Sequence, residues 1–209
     1  MKALLRYVAV LVIICSVSAA VLAAIYEVTK EPIAASRRQQ TLEAIQTVLP
    51  SFATLVDAEK VRSALGGEAT ALPDIFVALD GDRLVGAAIK VTDPGGYGGD
   101  VTFMVGVTPD ERIHAIRLLA HKETPGLGTK LAEEPFAGQF RELEVPAAGL
   151  MVAKDGGTIH AITGATISSR TATNAATRAV ALYREHAGAL AALAVTPAPE
   201  APAEEVDHG

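Results

Sequence analysis

Tryptophan is absent from this 209-residue chain, and aromatic residues make up only 4% of it. Half of the residues are nevertheless hydrophobic, and alanine supplies much of that fraction. Any soluble core must therefore be built from small aliphatic side chains. The length gives room for one domain with appendages and does not favour two full cores.

Cysteine is scarce too: Cys15 is the single thiol, and it lies inside an apolar N-terminal run. One thiol excludes an intramolecular disulfide framework and any multi-cysteine zinc or iron–sulfur site. Lipid attachment at Cys15 would require small residues just before it, whereas Ile13 and Ile14 stand there. We therefore interpret Cys15 as a lipid-facing apolar side chain and expect no metal site.

The chain also lacks an excess of basic residues. Its 18 lysines and arginines are outnumbered by 24 acidic residues, which gives a formal net charge of −6. Proteins that bind phosphate backbones usually carry a surplus of positive charge on one surface. A nucleic-acid partner is therefore not expected.

A long uncharged run begins the chain. No charged residue occurs over 7–25, and a helix of that length, rising about 1.5 Å per residue, can cross a hydrocarbon core of about 30 Å. Lys2 and Arg6 precede the run, whereas acidic residues are mixed with the basic ones after it. The positive-inside rule thus favours a cytoplasmic N-terminus over 1–6 and an exported body.

A cleaved signal peptide is the alternative for this run. Ala19-Ala20 and Ala23-Ala24 resemble cleavage sites, but a signal-peptide apolar region is normally only about 7–15 residues long. We therefore interpret residues 7–25 as an uncleaved single-pass anchor. Both interpretations export the rest of the chain.

Hydrophobic periodicity predicts an α+β body, with one antiparallel sheet and helices before and after it. Helical spacing continues to Leu49 before Pro50, and a second helix is predicted over 57–65, so we expect a helical connector over 26–70. Period-two alternation predicts a domain over 71–195 whose strands span 75–79, 84–91, 101–107 and 113–119. Asp80-Gly81 is the expected hairpin turn.

The second half of the chain contains fewer regular patterns. His121–Gly128 is a predicted loop, 131–140 a short helix with Phe136 and Phe140 on one face, and Met151-Val152 the beginning of another strand. Helical spacing returns over 168–193, with Ala176, Val180, Tyr183 and Leu190 as buried positions. The Ala/Pro/Glu-rich tail over 196–209 cannot bury enough apolar surface and is predicted to be disordered.

The string Thr163-Gly164-Ala165-Thr166 stands just before the last helix. Its plain interpretation is structural: Thr166, Ser168 or Ser169 caps the helix, and Gly164 turns the chain into it. The functional alternative is an anion site, because free N–H groups and the positive end of the dipole favour a negative group at a helix N-terminus.

Glycine is concentrated at 95–99 and again in the loop over 121–128. Both segments can be ordinary turns between strands. Yet the second is longer and richer in glycine than a hairpin requires, and glycine lets backbone approach a flat ligand closely. Spacing alone makes this a weak binding-site hypothesis.

Together these motifs resemble an FMN-binding-domain protein of the RnfG family, the G subunit of the Rnf (Rsx) electron transport complex. The matching elements are, in order, the anchor, Gly96-Tyr97-Gly98-Gly99, His121 through Gly128, Phe136 with Phe140, Asp155-Gly156-Gly157 and Thr163-Gly164-Ala165-Thr166. The resemblance covers nearly everything except the tail. The ETPGLG string followed at this distance by TGAT is highly specific.

The resemblance implies that Thr166 carries FMN through a phosphoester bond. A flavin transferase would install the FMN from FAD, outside the cytoplasm and with magnesium. The remaining cofactor-binding residues that it implies are Thr163, Gly164, Ala165, Glu123, Thr124, Gly126, Leu127 and Tyr97. For His121, Lys122 and Glu123 a solvated charge cluster stays open as the alternative, and for Tyr97 a place in the core.

The resemblance further implies a component of the bacterial inner membrane whose C-terminal domain is periplasmic. The other Rnf subunits would be its partners in moving electrons between ferredoxin and NAD, coupled to ion movement, and it would have no substrate of its own. One position departs from the family, since His160 stands where the recognition pattern usually has an Asp, six residues before the modified Thr. Either the transferase tolerates His160, or attachment is less efficient.

Other functions stay open at this point. The C subunit of the sodium-pumping NADH:quinone reductase has a similar flavin-attachment motif but usually a longer chain. The protein could also be an assembly factor with an empty cofactor site, or a freestanding flavin-binding domain that serves an extracytoplasmic reductase.

Overall fold

The computed structural model describes residues 2–66 and 72–195 of the chain. It divides into two compact units, Met1–Leu42 and Glu43–Gly209. The tail predicted to be disordered, 196–209, lies outside the described residues.

Helix α1 runs without a break over Lys2–Val48 and contains both the predicted anchor and the first part of the predicted connector. Among the described residues it is the one helix long and apolar enough to cross a membrane. The mean hydropathy of its most apolar window is 2.9, and none of that window is buried. Protein covers none of this apolar stretch, as is expected of a candidate transmembrane segment.

The sheet has six antiparallel strands that follow one another in chain order. They are β1 (Thr54–Val56), β2 (Ile75–Asp80), β3 (Arg83–Asp93), β4 (Val101–Val107), β5 (Arg112–His121) and β6 (Leu143–Glu144). The predicted hairpin is confirmed, since Asp80 pairs with Arg83 across its turn. The predicted strands at β4 and β5 are confirmed as well.

Alternating side chains of these strands enter two apolar layers. One face carries Ala78, Ala88 and Met104, which pack with Ile45 and Val48 from the last turns of α1. The other face packs against the last helix, α4 (Thr166–Val195), through a larger cluster that includes Phe103. Both faces of the sheet are covered. Successive side chains of a strand therefore point alternately into two apolar layers, and not alternately into the core and into water.

The four positions predicted to be buried on the last helix, Ala176, Val180, Tyr183 and Leu190, are all buried. Ala172, Ala175 and Ala179 are buried beside them. Their small side chains let the helix backbone lie close to the sheet. Burial raises the pKa of the Tyr183 phenol above its usual range, and the negative charges of Glu111 and Asp110 add to this effect.

Three expectations about secondary structure were wrong. The connector over 26–70 is not helical throughout, because β1 lies in it and pairs with β2. The helix expected over 131–140 is divided into a 3-10 turn (Gly128–Ala132), α3 (Glu134–Ala137) and a second 3-10 turn (Gly138–Phe140). Pro135 has no N–H to continue a helix through this segment. Phe136 and Phe140 still contact each other, with their ring centroids 5.6 Å apart.

The third wrong expectation is the strand beginning at Met151-Val152. Val152 forms a single parallel bridge with Ile159, and the chain then enters a 3-10 turn over Ala153–Asp155. Conversely, no pattern in the sequence indicated β6. Two residues are too short a segment for any hydrophobic alternation to be recognised.

Candidate functional site

A cavity of about 520 Å³ opens where the glycine-rich turn after β3, the loop after β5 and the start of α4 meet. Small-molecule sites typically have volumes of about 300–1,000 Å³. The fold has thus brought together the glycine-rich segments and the string before the last helix that the sequence singled out. The cavity is lined by Tyr97, Glu123, Thr124, Leu127, Lys154, Gly164, Ala165, Thr166, Ile167 and Ser168.

Most of the residues predicted for the cofactor site line this cavity. The exceptions are Thr163 and Gly126, which lie in the same two segments but are not among the lining residues. Tyr97 is 74% exposed, so the alternative that it fills the core is wrong. Its ring instead stands at the mouth of the cavity.

The glycine-rich turn packs directly against the loop after β5. A Cβ atom on Gly98 would lie 2.0 Å from the backbone oxygen of Lys122, which leaves no space for a side chain. Glycine is therefore needed at this position for the two backbones to approach each other. The close approach fixes one wall of the cavity.

Glu123 is the buried centre of the site, with only 6% of its surface exposed. Its Oε2 accepts a hydrogen bond from the Ser168 hydroxyl at 2.8 Å, and its Oε1 accepts one from the Gly98 N–H at 3.4 Å. One carboxylate thus joins the loop after β5, the glycine-rich turn and the first turn of α4. The interpretation of Glu123 as part of a solvated charge cluster is wrong, although its neighbour Lys122 is exposed.

The expected capping roles of Ser168 and Ser169 are wrong as well. Ser168 donates to Glu123, while the Ser169 hydroxyl donates to the Ala165 carbonyl at 2.9 Å and accepts from the Ile162 N–H at 3.0 Å. The Ser169 hydroxyl therefore binds the approaching chain to α4, and the Ser168 hydroxyl binds the loop after β5 to the same helix. The expected turn at Gly164 is confirmed by its φ of 83°, which lies in the left-handed region.

The first turn of α4 presents free backbone donors to the cavity. The first hydrogen bond of the helix ladder runs from Ser169 N to Ala165 O. The N–H groups of Thr166, Ile167 and Ser168 precede it and have no partner within the helix. They add to the positive end of a 30-residue helix dipole.

Lys154 is the charged lining residue that sequence reasoning missed, and Ile167 and Ser168 also line the cavity without having been predicted to bind the cofactor. The Nζ of Lys154 donates a hydrogen bond to Thr166 Oγ1 at 3.2 Å. Lys154 stands in the 3-10 turn beside Asp155, whose two carboxylate oxygens accept hydrogen bonds from Arg170 Nε and Nη2 at 2.6 and 2.7 Å. Asp155 belongs to the matching element Asp155-Gly156-Gly157, but nothing in that element singled out the lysine before it.

The ion pair between Asp155 and Arg170 changes the titration of both groups. Hydrogen bonding from Arg170 lowers the pKa of the Asp155 carboxyl below its usual range, although desolvation opposes this. The same hydrogen bond raises the pKa of the Arg170 guanidinium. Both groups therefore stay charged at neutral pH.

His160 lies outside the cavity with its side chain exposed. The Gln139 side chain binds its backbone on both sides, accepting from His160 N at 2.7 Å and donating to His160 O at 3.2 Å. Among the residues that the structure describes, no cluster of His, Cys, Asp and Glu is placed to hold a metal ion.

The donor set of the cavity suits an anionic aromatic ligand. Lys154 and the free N–H groups of α4 form a positive region around the Thr166 hydroxyl. The apolar parts of Leu127, Ile167 and Tyr97 line the same cavity and suit a planar ring. Ile167 is 44% exposed although it is apolar, as is expected of a side chain in an open ligand site.

Comparison with known proteins decides the family. The FMN-binding domain family matches residues 96–181, and the RnfG N-terminal region matches residues 1–48. The ion-translocating oxidoreductase complex of Aliivibrio fischeri has a G subunit that is 35% identical over 176 residues, which cover 77% of this chain and 81% of that protein. The chain belongs to the RnfG family.

Two further similarities accompany this assignment. The G subunit of the proton-translocating ferredoxin:NAD(+) oxidoreductase complex of Clostridium ljungdahlii is 34% identical to this RnfG-family chain over 173 residues, covering 81% of this chain and 86% of that protein. A crystal structure of NqrC from Shewanella oneidensis aligns with a TM-score of 0.47 at 19% identity, over 57% of this chain and 61% of that one.

The two matched regions correspond to helix α1 and to the part of the chain that forms the cavity. The RnfG N-terminal region ends at residue 48, where α1 ends. The FMN-binding domain contains every residue that lines the cavity. This member of the RnfG family therefore combines a candidate transmembrane helix with an FMN-binding domain, and it is an electron transport protein.

Proposed function

We propose that this RnfG-family protein relays electrons through an FMN that is esterified to the Thr166 hydroxyl. The observation that carries the proposal is the position of that hydroxyl. Thr166 lines the cavity at the first residue of α4, and the Lys154 ammonium lies 3.2 Å from its oxygen. FMN, when bound there, supplies the redox chemistry that the polypeptide lacks.

The chain's own groups have three roles in this proposal. Lys154 and the N–H groups at the start of α4 hold the negative phosphodiester. Leu127, Ile167 and Tyr97 shield the ring from water, and Glu123 keeps the surrounding loops in place. Covalent attachment prevents the loss of a soluble cofactor in a compartment that does not make it.

The electron donor and acceptor of this protein are other members of the complex, and it turns over no substrate of its own. Among its relatives, the complex of C. ljungdahlii is named for ferredoxin and NAD(+). We propose that the complex to which this chain belongs also transfers electrons between ferredoxin and NAD. A flavin transferase is the partner during maturation.

Intact mass is the direct test of the attachment. The chain co-produced with a flavin transferase is expected to gain the mass of one FMN less one water molecule, and it should fluoresce after denaturation. The same chain produced without the transferase should have the mass of its amino acids alone. Fragmentation should place the added mass on the peptide that contains Thr166. An unchanged mass in both preparations, or a flavin on another residue, contradicts the proposal.

We further propose that residues 7–25 are an uncleaved anchor in a bacterial inner membrane, with the FMN-binding domain in the periplasm. The unburied apolar helix supports the anchor, and Lys2 and Arg6 before it support a cytoplasmic N-terminus. This location also agrees with an attachment step outside the cytoplasm.

Thiol labelling tests this topology, because Cys15 is the single native cysteine. In a Cys15→Ser background, Asp82→Cys places a thiol in the exposed turn between β2 and β3. We expect a maleimide that cannot cross the inner membrane to label this thiol in cells whose outer membrane is permeabilised and whose inner membrane is intact. Ala3→Cys is the matched control, because it keeps both Lys2 and Arg6, and it should react only after lysis. If the N-terminal thiol is labelled before lysis and the thiol at position 82 only after lysis, the proposed orientation is overturned.

A further inference from the structure

The structure assigns to Lys154 the role of a positioning residue, which presents the Thr166 hydroxyl for flavin transfer and afterwards pairs with the phosphodiester. This inference rests on the proposed attachment at Thr166 and adds the residue that prepares the acceptor. The juxtaposition behind it is the hydrogen bond from Lys154 Nζ to Thr166 Oγ1 at 3.2 Å, inside the cavity.

The direction of this hydrogen bond matters for the chemistry. An ammonium group has three donors and no acceptor, so the Thr166 oxygen must be the acceptor. The hydrogen of the Thr166 hydroxyl is then directed towards some other acceptor, where a base can remove it. Positive charge beside the oxygen also stabilises the negative charge that develops there as the proton leaves.

Lys154 is held in place by contacts outside the cavity. Asp155, its neighbour, forms the two-point ion pair with Arg170. Arg170 stands four residues after Thr166 and so lies on the same face of α4. The 3-10 turn is closed by the hydrogen bond from Asp155 N to Val152 O at 2.8 Å. The acceptor hydroxyl and the lysine are thereby fixed to the same side of one helix.

The turn is also held from its other end. A Cβ atom on Gly157 would lie 1.9 Å from the Met151 backbone oxygen, so the chain folds back on itself directly after the turn. Asp155 is ionised near neutral pH, because the ordinary pKa of an aspartate lies well below 7 and Arg170 lowers it further. The ion pair therefore persists under the conditions in which transfer would occur.

The transfer step balances without any oxidant or reductant. Thr166 Oγ1 attacks the phosphorus atom that bears the riboflavin half of a flavin dinucleotide held by the transferase. The bond from Oγ1 to this phosphorus forms, and the bond from the phosphorus to the oxygen bridging to the AMP half breaks. AMP leaves with that electron pair, and the hydroxyl proton goes to a base of the transferase. The product is a phosphodiester with one negative charge, for which Lys154 is the nearby cation.

The test is the initial rate of loading of the full-length chain in detergent, with purified transferase, FAD and magnesium. Lys154→Met keeps the length of the side chain and removes its charge, and we expect it to slow loading by roughly tenfold or more. Lys154→Arg should recover most of the rate, because it restores a cation. Lys60→Met, on the exposed surface of α2 (Ala58–Leu65), is the matched control and should load like the wild type.

A second variant separates positioning from general stability. Asp155→Asn removes the charge that holds Arg170 and leaves Lys154 intact, so we expect slower loading without a change in final stoichiometry. Thermal melting of each unloaded variant is followed by circular dichroism and should match that of the wild type. Only a role at the acceptor hydroxyl predicts slow loading, unchanged melting and recovery by arginine together.

The outcomes distinguish the two proposals. If the wild type loads on Thr166 and Lys154→Met loads at the same rate, the role of Lys154 is overturned while the attachment site stands. A rate loss that arginine does not recover, accompanied by a lower melting temperature, also overturns it. If the wild type gains no flavin at all, both proposals fail together.

Discussion

Replacing Thr166 with alanine is expected to remove all covalently bound flavin while the domain stays folded. The substitution deletes the only atom through which the proposed ester can form at this position. The side chain is partly exposed, and its oxygen accepts from the exposed Lys154, so little buried structure depends on it. The free energy of unfolding should fall by about 1 kcal/mol or less.

Fluorescence of the denatured protein on a gel measures the first effect, and thermal melting measures the second. Two controls bracket the result. Thr158→Ala removes an exposed hydroxyl that lies outside both the string and the cavity, and it should load. Thr166→Ser retains a hydroxyl at the proposed position and should load at least in part. Fluorescence that survives in the alanine variant would show that the flavin is attached elsewhere.

Glu123→Ala is expected to have the largest effect on stability among the site residues. The substitution removes the acceptor of the buried Ser168 hydroxyl and also the acceptor of the Gly98 N–H. An unsatisfied buried polar group costs about 1–3 kcal/mol, and only the Ser168 hydroxyl is buried because Gly98 is exposed, so we expect a loss of about 1–3 kcal/mol in the free energy of unfolding. The walls of the cavity should loosen at the same time.

Urea denaturation of the unloaded protein tests this expectation through its midpoint. Glu185→Ala is the matched control, because Glu185 is exposed on α4 and its loss should change the free energy by less than about 0.5 kcal/mol. Glu123→Gln keeps an acceptor for Ser168 and should lose less than the alanine variant. If Glu123→Ala and Glu185→Ala denature at the same urea concentration, the carboxylate does not hold the three segments together.

The central strands and the last helix could be predicted because their patterns are long. Residues 75–79 and 101–107 alternate clearly, and 168–193 repeats apolar residues at helical spacing. The sequence also located both segments of the cavity, since glycines and a helix start are local features. It could not locate β1 or β6, which are three and two residues long and are defined by the strands they pair with.

Lys154 could not be predicted because its role depends on a distant contact. Nothing within the local sequence shows that Asp155 binds Arg170, 15 residues later in the chain. That ion pair fixes the turn that carries the lysine to the helix that begins at Thr166. The capping role expected of Ser168 was wrong for a similar reason, since a serine near a helix start is usually a cap, and here a buried carboxylate from another segment accepts its hydrogen bond instead.

The hydrogen bonds of Glu123 also bear on the speed of electron transfer. A redox centre exchanges electrons fastest when its surroundings need little rearrangement as its charge changes. Here the buried Glu123 side chain connects the loop after β5, the glycine-rich turn and the first turn of α4 around the proposed flavin site. The hydrogen-bonded groups of these segments would reorient little with each oxidation and reduction. The protein would thus keep the activation free energy of each electron transfer low.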